Sequence, residues 1–304
     1  MSSSTHVLGA DVPGPPPPVV SAREPIAEHV SAGARAARFV RRQPTLVLGL
    51  VVLVVIAAGG IFAPAWWTGD PLEMRPAERL TAPMAAHWFG TDNFGRDVYT
   101  RTIYGTRISL VVGATVAVIS LLIGTTLGLV IGFYRRLDAI MMRVMDGLMA
   151  IPAILLALAL MAMLRASVRN VIVALVIPEI PRVIRVVRAS VLSLREHTMV
   201  EAAIASGTST PRIILAHILP NTVAPLSVQA TYICGSAMII ESILSFIGAG
   251  TPPIIPSWGN IMAEGKTYVQ LAFWIILFPG LFLALTVLAI NLVGDGLRET
   301  LDVR

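Results

Sequence analysis

A chain of 304 residues that is 55% hydrophobic and only 13% charged, with a mean hydropathy of +0.77, keeps most of its surface out of water; soluble globular proteins carry about 25% charged residues. The net charge of +5 needs no nucleic acid to explain it, because basic residues are the normal flanks of membrane spans. The single cysteine, Cys234, excludes an intramolecular disulfide and, inside an apolar run, reads as a small buried hydrophobe.

Residues 1–44 read as a disordered cytosolic tail, Ser-rich and then Pro13-Gly14-Pro15-Pro16-Pro17-Pro18, with too little apolar surface to offset its ordering entropy. Arg35, Arg38, Arg41 and Arg42 crowd against the first apolar run as a cytosolic flank does. That run starts too deep in the chain for a cleavable signal peptide and reads as an uncleaved span. A spanning helix needs about 20 apolar residues. Thr45–Trp67 supplies the first, ending on the interfacial pair Trp66-Trp67, and 68–106 follows as an extracytoplasmic segment. Ser109–Phe133, Ala139–Leu164, Asn221–Ile240 and Leu271–Val293 supply four more.

Ser167–Val191 is taken as the remaining span although Glu179, Arg182, Arg185 and Arg188 crowd its second half. A charge at the bilayer centre costs roughly 2.5–3.5 kcal/mol on insertion scales, so those arginines belong toward the cytosolic side. The expected fold is thus an all-α integral membrane protein with six transmembrane helices. Arginines fall more often on the segments that an N-in, C-in arrangement places inside, which fixes the orientation. Pro152, Pro178, Pro181, Pro225 and Pro279 are expected to kink their helices.

Between the fourth and fifth spans lies a polar, helix-compatible stretch, 192–220. Ala202 and Ala203 allow close approach to another backbone, and Gly207 stops the helix as a left-handed cap. Thr210 before Pro211 reads as the N-cap of a second short helix over Arg212–Ile218, stopped by Pro220. The product is a helix–turn–helix elbow able to pass force between a soluble machine and the membrane helices. A DNA-reading motif is rejected, because Ile213-Ile214-Leu215-Ala216 carries almost no base-reading side chain. An ordinary cytosolic helical loop is the plainer alternative.

The pattern Glu201-Ala202-Ala203, Gly207 and Leu219-Pro220 resembles the coupling loop of permease subunits in binding-protein-dependent ABC importers. His217 departs from the isoleucine of the general pattern and is similar to the dipeptide and oligopeptide branch. His87-Trp88-Phe89-Gly90-Thr91-Asp92-Asn93-Phe94-Gly95-Arg96-Asp97-Val98, Glu241-Ser242-Ile243-Leu244-Ser245-Phe246-Ile247-Gly248-Ala249-Gly250, Pro256-Ser257-Trp258-Gly259-Asn260 and Asn291-Leu292-Val293-Gly294-Asp295-Gly296-Leu297-Arg298 resemble the C-type permease of that branch. The resemblance spans about 87–304 and implies the type I importer architecture over 107–304, in a multi-pass protein of the bacterial inner membrane. It implies coupling through Glu201, Ala202, Ala203, Gly207, Pro211, Arg212, His217, Leu219 and Pro220. The implied partners are a second permease, one or two ABC ATPases that bind ATP and magnesium, an extracytoplasmic binding protein received by 68–106 and 249–270, and membrane lipid. Peptides are the implied cargo, with nickel complexes or another small solute as alternatives.

No residue pattern supports catalysis by the chain itself. Gly265-Lys266-Thr267 lacks the Walker A glycine, its place being taken by Asn260, and no HExxH or CxxC motif occurs. Asp146, Glu241 and Asn291 are candidate pathway residues. Asp146, Glu179 and Glu241 would equally serve an ion-coupled secondary transporter, or simply be satisfied by backbone and arginine partners.

Overall fold

The computed structural model describes residues 43–65 and 69–302, and among these the regular elements are all helical. The tail before Gln43 and the Trp66-Trp67 pair lie outside the described residues. Helix α1 (Pro44–Phe62) opens with proline in its first turn, where the missing N–H has no intrahelical partner to lose. Helix α2 (Val98–Phe133) starts eleven residues before the predicted span, capped by Asp97, whose carboxylate accepts from the Thr100 N–H at 2.8 Å. The predicted outer segment therefore gives up its last turns to α2.

The predicted third span is not one straight helix. It divides into α3 (Arg135–Met149) and α4 (Ala153–Met163), bent by 83°. Pro152 cannot donate to the preceding turn, and it pushes Ile151 away from helical geometry, so the chain turns there instead of bending gently. Helix α5 (Val168–Arg195) is capped by Ser167 and runs through Pro178 and Pro181. The short helices α6 (Thr198–Ala205) and α7 (Thr210–Ile213) lead through a π-helical turn, Ile214–Ile218, into α8 (Leu219–Phe246). Helix α9 (Trp258–Gly265) precedes α10 (Trp274–Asp302).

Among the described residues four helical runs are long and apolar enough to cross a bilayer: α1, α2, Thr210–Phe246 and α10. The bent α3–α4 pair makes a fifth if it is one span. Helix α5 has the length, at 28 residues, but carries Arg169, Glu179, Arg182, Arg185 and Arg188.

Helices α2 and α5 form the centre of the bundle. Gly124, Gly128 and Gly132 repeat every fourth residue on α2 and face Val183, Val187 and Val191, all fully buried. A Cβ on any of the three glycines would lie 2.5–2.9 Å from a valine Cβ. Lipid is as apolar as valine, so the seam is held by dispersion at close approach and not by exclusion of water. Arg195 closes its far end, donating to the Phe133 carbonyl at 3.1 Å and stacking over the Phe133 ring at 5.2 Å. This guanidinium caps the last turn of α2, where orphan carbonyls favour a cation.

At the opposite end of α2, loops 76–97 and 249–273 build a polar cap. Asp92 is fully buried and accepts from Phe94 N at 2.8 Å, Arg96 Nε at 2.6 Å and Arg101 Nη1 at 2.7 Å. Glu264 of α9 binds both arginines, so two cations and two carboxylates are enclosed together. Trp258 and Trp274 lock the cap on, their indole N–H groups donating to Thr102 O at 3.0 Å and Thr91 O at 3.1 Å. A cleft of about 410 Å³ opens beside it, lined in part by Glu73, Arg75, His87, Trp88 and Tyr99. There the hydrogen bond from Arg75 to the Glu73 carboxylate raises the guanidinium pKa above its ordinary value.

Candidate functional site

The elbow that joins α5 to α8 is built from two short helices on three buried anchors. Val200, Ile213 and Ile218 are at most 2% exposed and join the central apolar cluster, with Ala203, Ile214 and Leu219 packed around them. The rest of the elbow faces outward. Glu201 and Ala202 in the first turns of α6, then Ala205, Ser206, Gly207, Pro211, Arg212, Ala216 and Pro220, are exposed, as are the large side chains Met199, Ile204 and Leu215. His217 sits half-buried in the π turn, and its carbonyl accepts from Asn221 Nδ2 at 2.6 Å.

Gly207 ends α6 as its sequence required. Its φ is +76°, and Thr208 N donates to Ala203 O at 3.0 Å while Gly207 N donates to Ile204 O at 2.9 Å. That pair of bonds is the Schellman closure, and its left-handed residue is nearly always glycine. Nothing lies within 4 Å of where a Gly207 Cβ would stand, so backbone conformation alone selects the residue.

Two expectations for the elbow are corrected. The N-cap of α7 is Ser209, one residue before Thr210, and its side chain makes no capping bond. Nor does Pro220 stop the second helix. The chain continues from Thr210 to Phe246 because the π turn, closed by Leu219 N donating to Ile214 O, sets Pro220 in the first turn of α8, where its missing N–H costs little. The elbow's second arm and the membrane helix α8 therefore form one continuous helical run with the π turn inside it.

The candidate pathway residues do not come together. Asp146 is exposed on α3 and accepts from Arg185 Nη2 at 2.6 Å. Asn291 is exposed on α10, opposite Gly235 of α8. Glu241 is fully buried near the cap end of α8, where Ser245 Oγ donates to it at 2.8 Å and Ser242 and Thr251 lie at 3.4 Å. Asn260 Nδ2 in turn donates to Thr251 Oγ1 at 2.9 Å, so this carboxylate ties α8, the following loop and α9 into one hydroxyl-rich knot. Glu179, the third carboxylate, accepts from Arg182 Nη1 at 3.0 Å. Sequence reasoning missed the enclosed cluster of Asp92, Arg96, Arg101 and Glu264, because Glu264 stands 168 residues beyond Arg96 and leaves no local signal.

Comparison with known proteins points the same way as the elbow. Residues 120–304 match the family model described as binding-protein-dependent transport system inner membrane component. The chain is 48% identical over 268 residues, 88% of this chain and 90% of the relative, to a putative peptide transport system permease protein of Brucella suis biovar 1 (strain 1330). It is 49% identical over 267 residues, 88% of this chain and 91% of the relative, to a probable peptide ABC transporter permease protein of Sinorhizobium fredii (strain NBRC 101917 / NGR234). Identity to the dipeptide transport system permease protein of Alkalihalophilus pseudofirmus (strain ATCC BAA-2126 / JCM 17055 / OF4) is 42% over 274 residues, 90% of each chain. This multi-pass membrane chain belongs to the family of binding-protein-dependent transport system inner membrane components.

Proposed function

We propose that the chain is one permease subunit of an ATP-driven peptide importer of the bacterial inner membrane, lining half of the translocation pathway beside a second permease. The peptide transport named for its relatives supports this cargo over nickel or another small solute. Six crossings with both termini in the cytosol accommodate α1, α2, the bent α3–α4 pair, α5, α8 and α10. In that arrangement the elbow faces the ATPases, and the cap and its cleft face an extracytoplasmic binding protein. ATP and magnesium would be held by the ATPase subunits, and this chain would do no chemistry.

The observation that carries the reading is the elbow. It exposes Met199, Ile204 and Leu215 while its three anchors are buried, and it runs unbroken into α8. Large apolar side chains displayed on a rigid anchored element are what a docking partner covers. ATPase closure would then move the elbow, and α8 with it, between access states. The ion-coupled alternative needs an available carboxylate, whereas Asp146 and Glu179 are bonded to arginines and Glu241 is enclosed by hydroxyls.

The test is Leu215→Glu, a change at a side chain 62% exposed. The variant is expected to fold and to recover the second permease in a gentle-detergent pull-down, yet to lose at least tenfold in recovered ATPase subunits. Unchanged ATPase recovery with intact peptide uptake would remove the elbow as the coupling element.

A further inference from the structure

Helix α5 carries a polar face that neither the elbow nor the cap accounts for. Arg182, Arg185, Ala189 and Ser193 recur at three- and four-residue spacing, so they share one side of the helix, and none of them is buried. Arg182 lies midway, with about 20 Å of helix on either side at 1.5 Å per residue. A guanidinium facing hydrocarbon is costly, and arginines on a membrane helix normally face a water-filled path or a polar neighbour.

The immediate surroundings of Arg182 hold it in place without satisfying it. Its side chain is 33% exposed, and Nη1 donates to Glu179 Oε1 at 3.0 Å. Among the described residues no acceptor meets its Nε or Nη2. Glu179 has a side chain only 3% exposed, and its other oxygen, Oε2, is enclosed without a partner. The buried carboxylate thus commits itself to one guanidinium edge and leaves the other edge open. An Arg edge with two parallel N–H donors matches a carboxylate bidentately.

We propose that Arg182, positioned by Glu179 midway along α5, binds the terminal carboxylate of the carried peptide. The proposal rests on the peptide-permease reading. Arg185 is not part of this site, because Asp146 of α3 already engages it.

The test uses the assembled importer in proteoliposomes, with saturating binding protein. The substrates are one peptide and its C-terminal amide, both first shown to load onto that binding protein. The wild-type complex is expected to import the free acid with kcat/KM at least tenfold above the amide. Arg182→Gln should bring the acid down to the amide's level, with basal ATP hydrolysis and subunit recovery unchanged. The double variant Glu179→Gln/Arg182→Gln leaves no lone buried carboxylate, so it carries the test if the single variant fails to assemble, and the same loss of preference is expected.

A preference that survives either substitution, or an equal fall for acid and amide, overturns the proposal while leaving the peptide reading intact. Loss of the second permease from both variants also overturns it, and assigns Arg182 to a carboxylate of that neighbour. A wild-type complex that imports neither compound overturns the peptide reading itself.

Discussion

The two ends of α2 are built on opposite principles. At the Val98 end, charges are enclosed: Asp92 and Arg101 have fully buried side chains, Glu264 completes the cluster, and two indole donors pin the cap to the helices. Beyond the Phe133 end, the elbow keeps only Val200, Ile213 and Ile218 inside and leaves large apolar side chains in the open. A buried charge cluster is satisfied by one geometry and resists deformation. An exposed apolar elbow is unsatisfied until something covers it. The charges of the cap are therefore satisfied within this chain, whereas the elbow leaves Met199, Ile204 and Leu215 uncovered.

The contrast is broken most strongly at the cap. Asp92→Ala would leave Arg96 and Arg101 sharing Glu264 alone, and removing one partner from a buried ion cluster costs about 3–5 kcal/mol. A large fall in the thermal unfolding midpoint of the detergent-solubilised protein is the expected outcome, and an unchanged midpoint would show that the cluster is not what holds the cap. Gly207→Ala should have a smaller and local effect, about 1–2 kcal/mol for a Cβ in left-handed geometry, because no neighbour obstructs it. Hydrogen exchange should accelerate across 198–210 and leave α2 and α5 as protected as before; acceleration throughout the bundle would mean the elbow is not an independent unit.

The smallest effect is expected at Asp146, whose pair with Arg185 is about half exposed on both sides. Asp146→Asn should cost less than about 1 kcal/mol, and the difference from wild type should shrink as salt is raised. A larger, salt-independent loss would place α3 among the rigid parts of the molecule.

How far each part was legible follows from the range of the forces involved. The Gly207 cap could be read directly, since a glycine among polar residues after Ala-rich helix answers to backbone conformation within five residues. Pro152 was legible as a disturbance but not as an 83° turn, because the angle depends on what α3 and α4 pack against. Asp138 and Asp146 of α3 meet Arg188 and Arg185 of α5, contacts made only once the chain has turned back. Pro220 misled for a related reason. A proline inside a helix removes one backbone hydrogen bond without always ending the helix, and here a π turn directly before Pro220 keeps the chain helical, with Ile213 and Ile218 in the core.

The sequence by itself determined that this chain lives in a membrane, where most of its long helices lie, and which segment carries the coupling pattern. Those properties depend on apolar run length, helix punctuation and a handful of residue types at fixed spacing, all of which act locally. Only the tertiary structure decided which charges are enclosed and which stay available. Asp92, Glu241 and Asp146 look alike in the sequence, yet the first is locked between two arginines, the second is wrapped in hydroxyls, and the third is half-exposed on a bent helix. Electrostatic state follows from burial and from partners up to 168 residues away, which are fixed only when the helices pack.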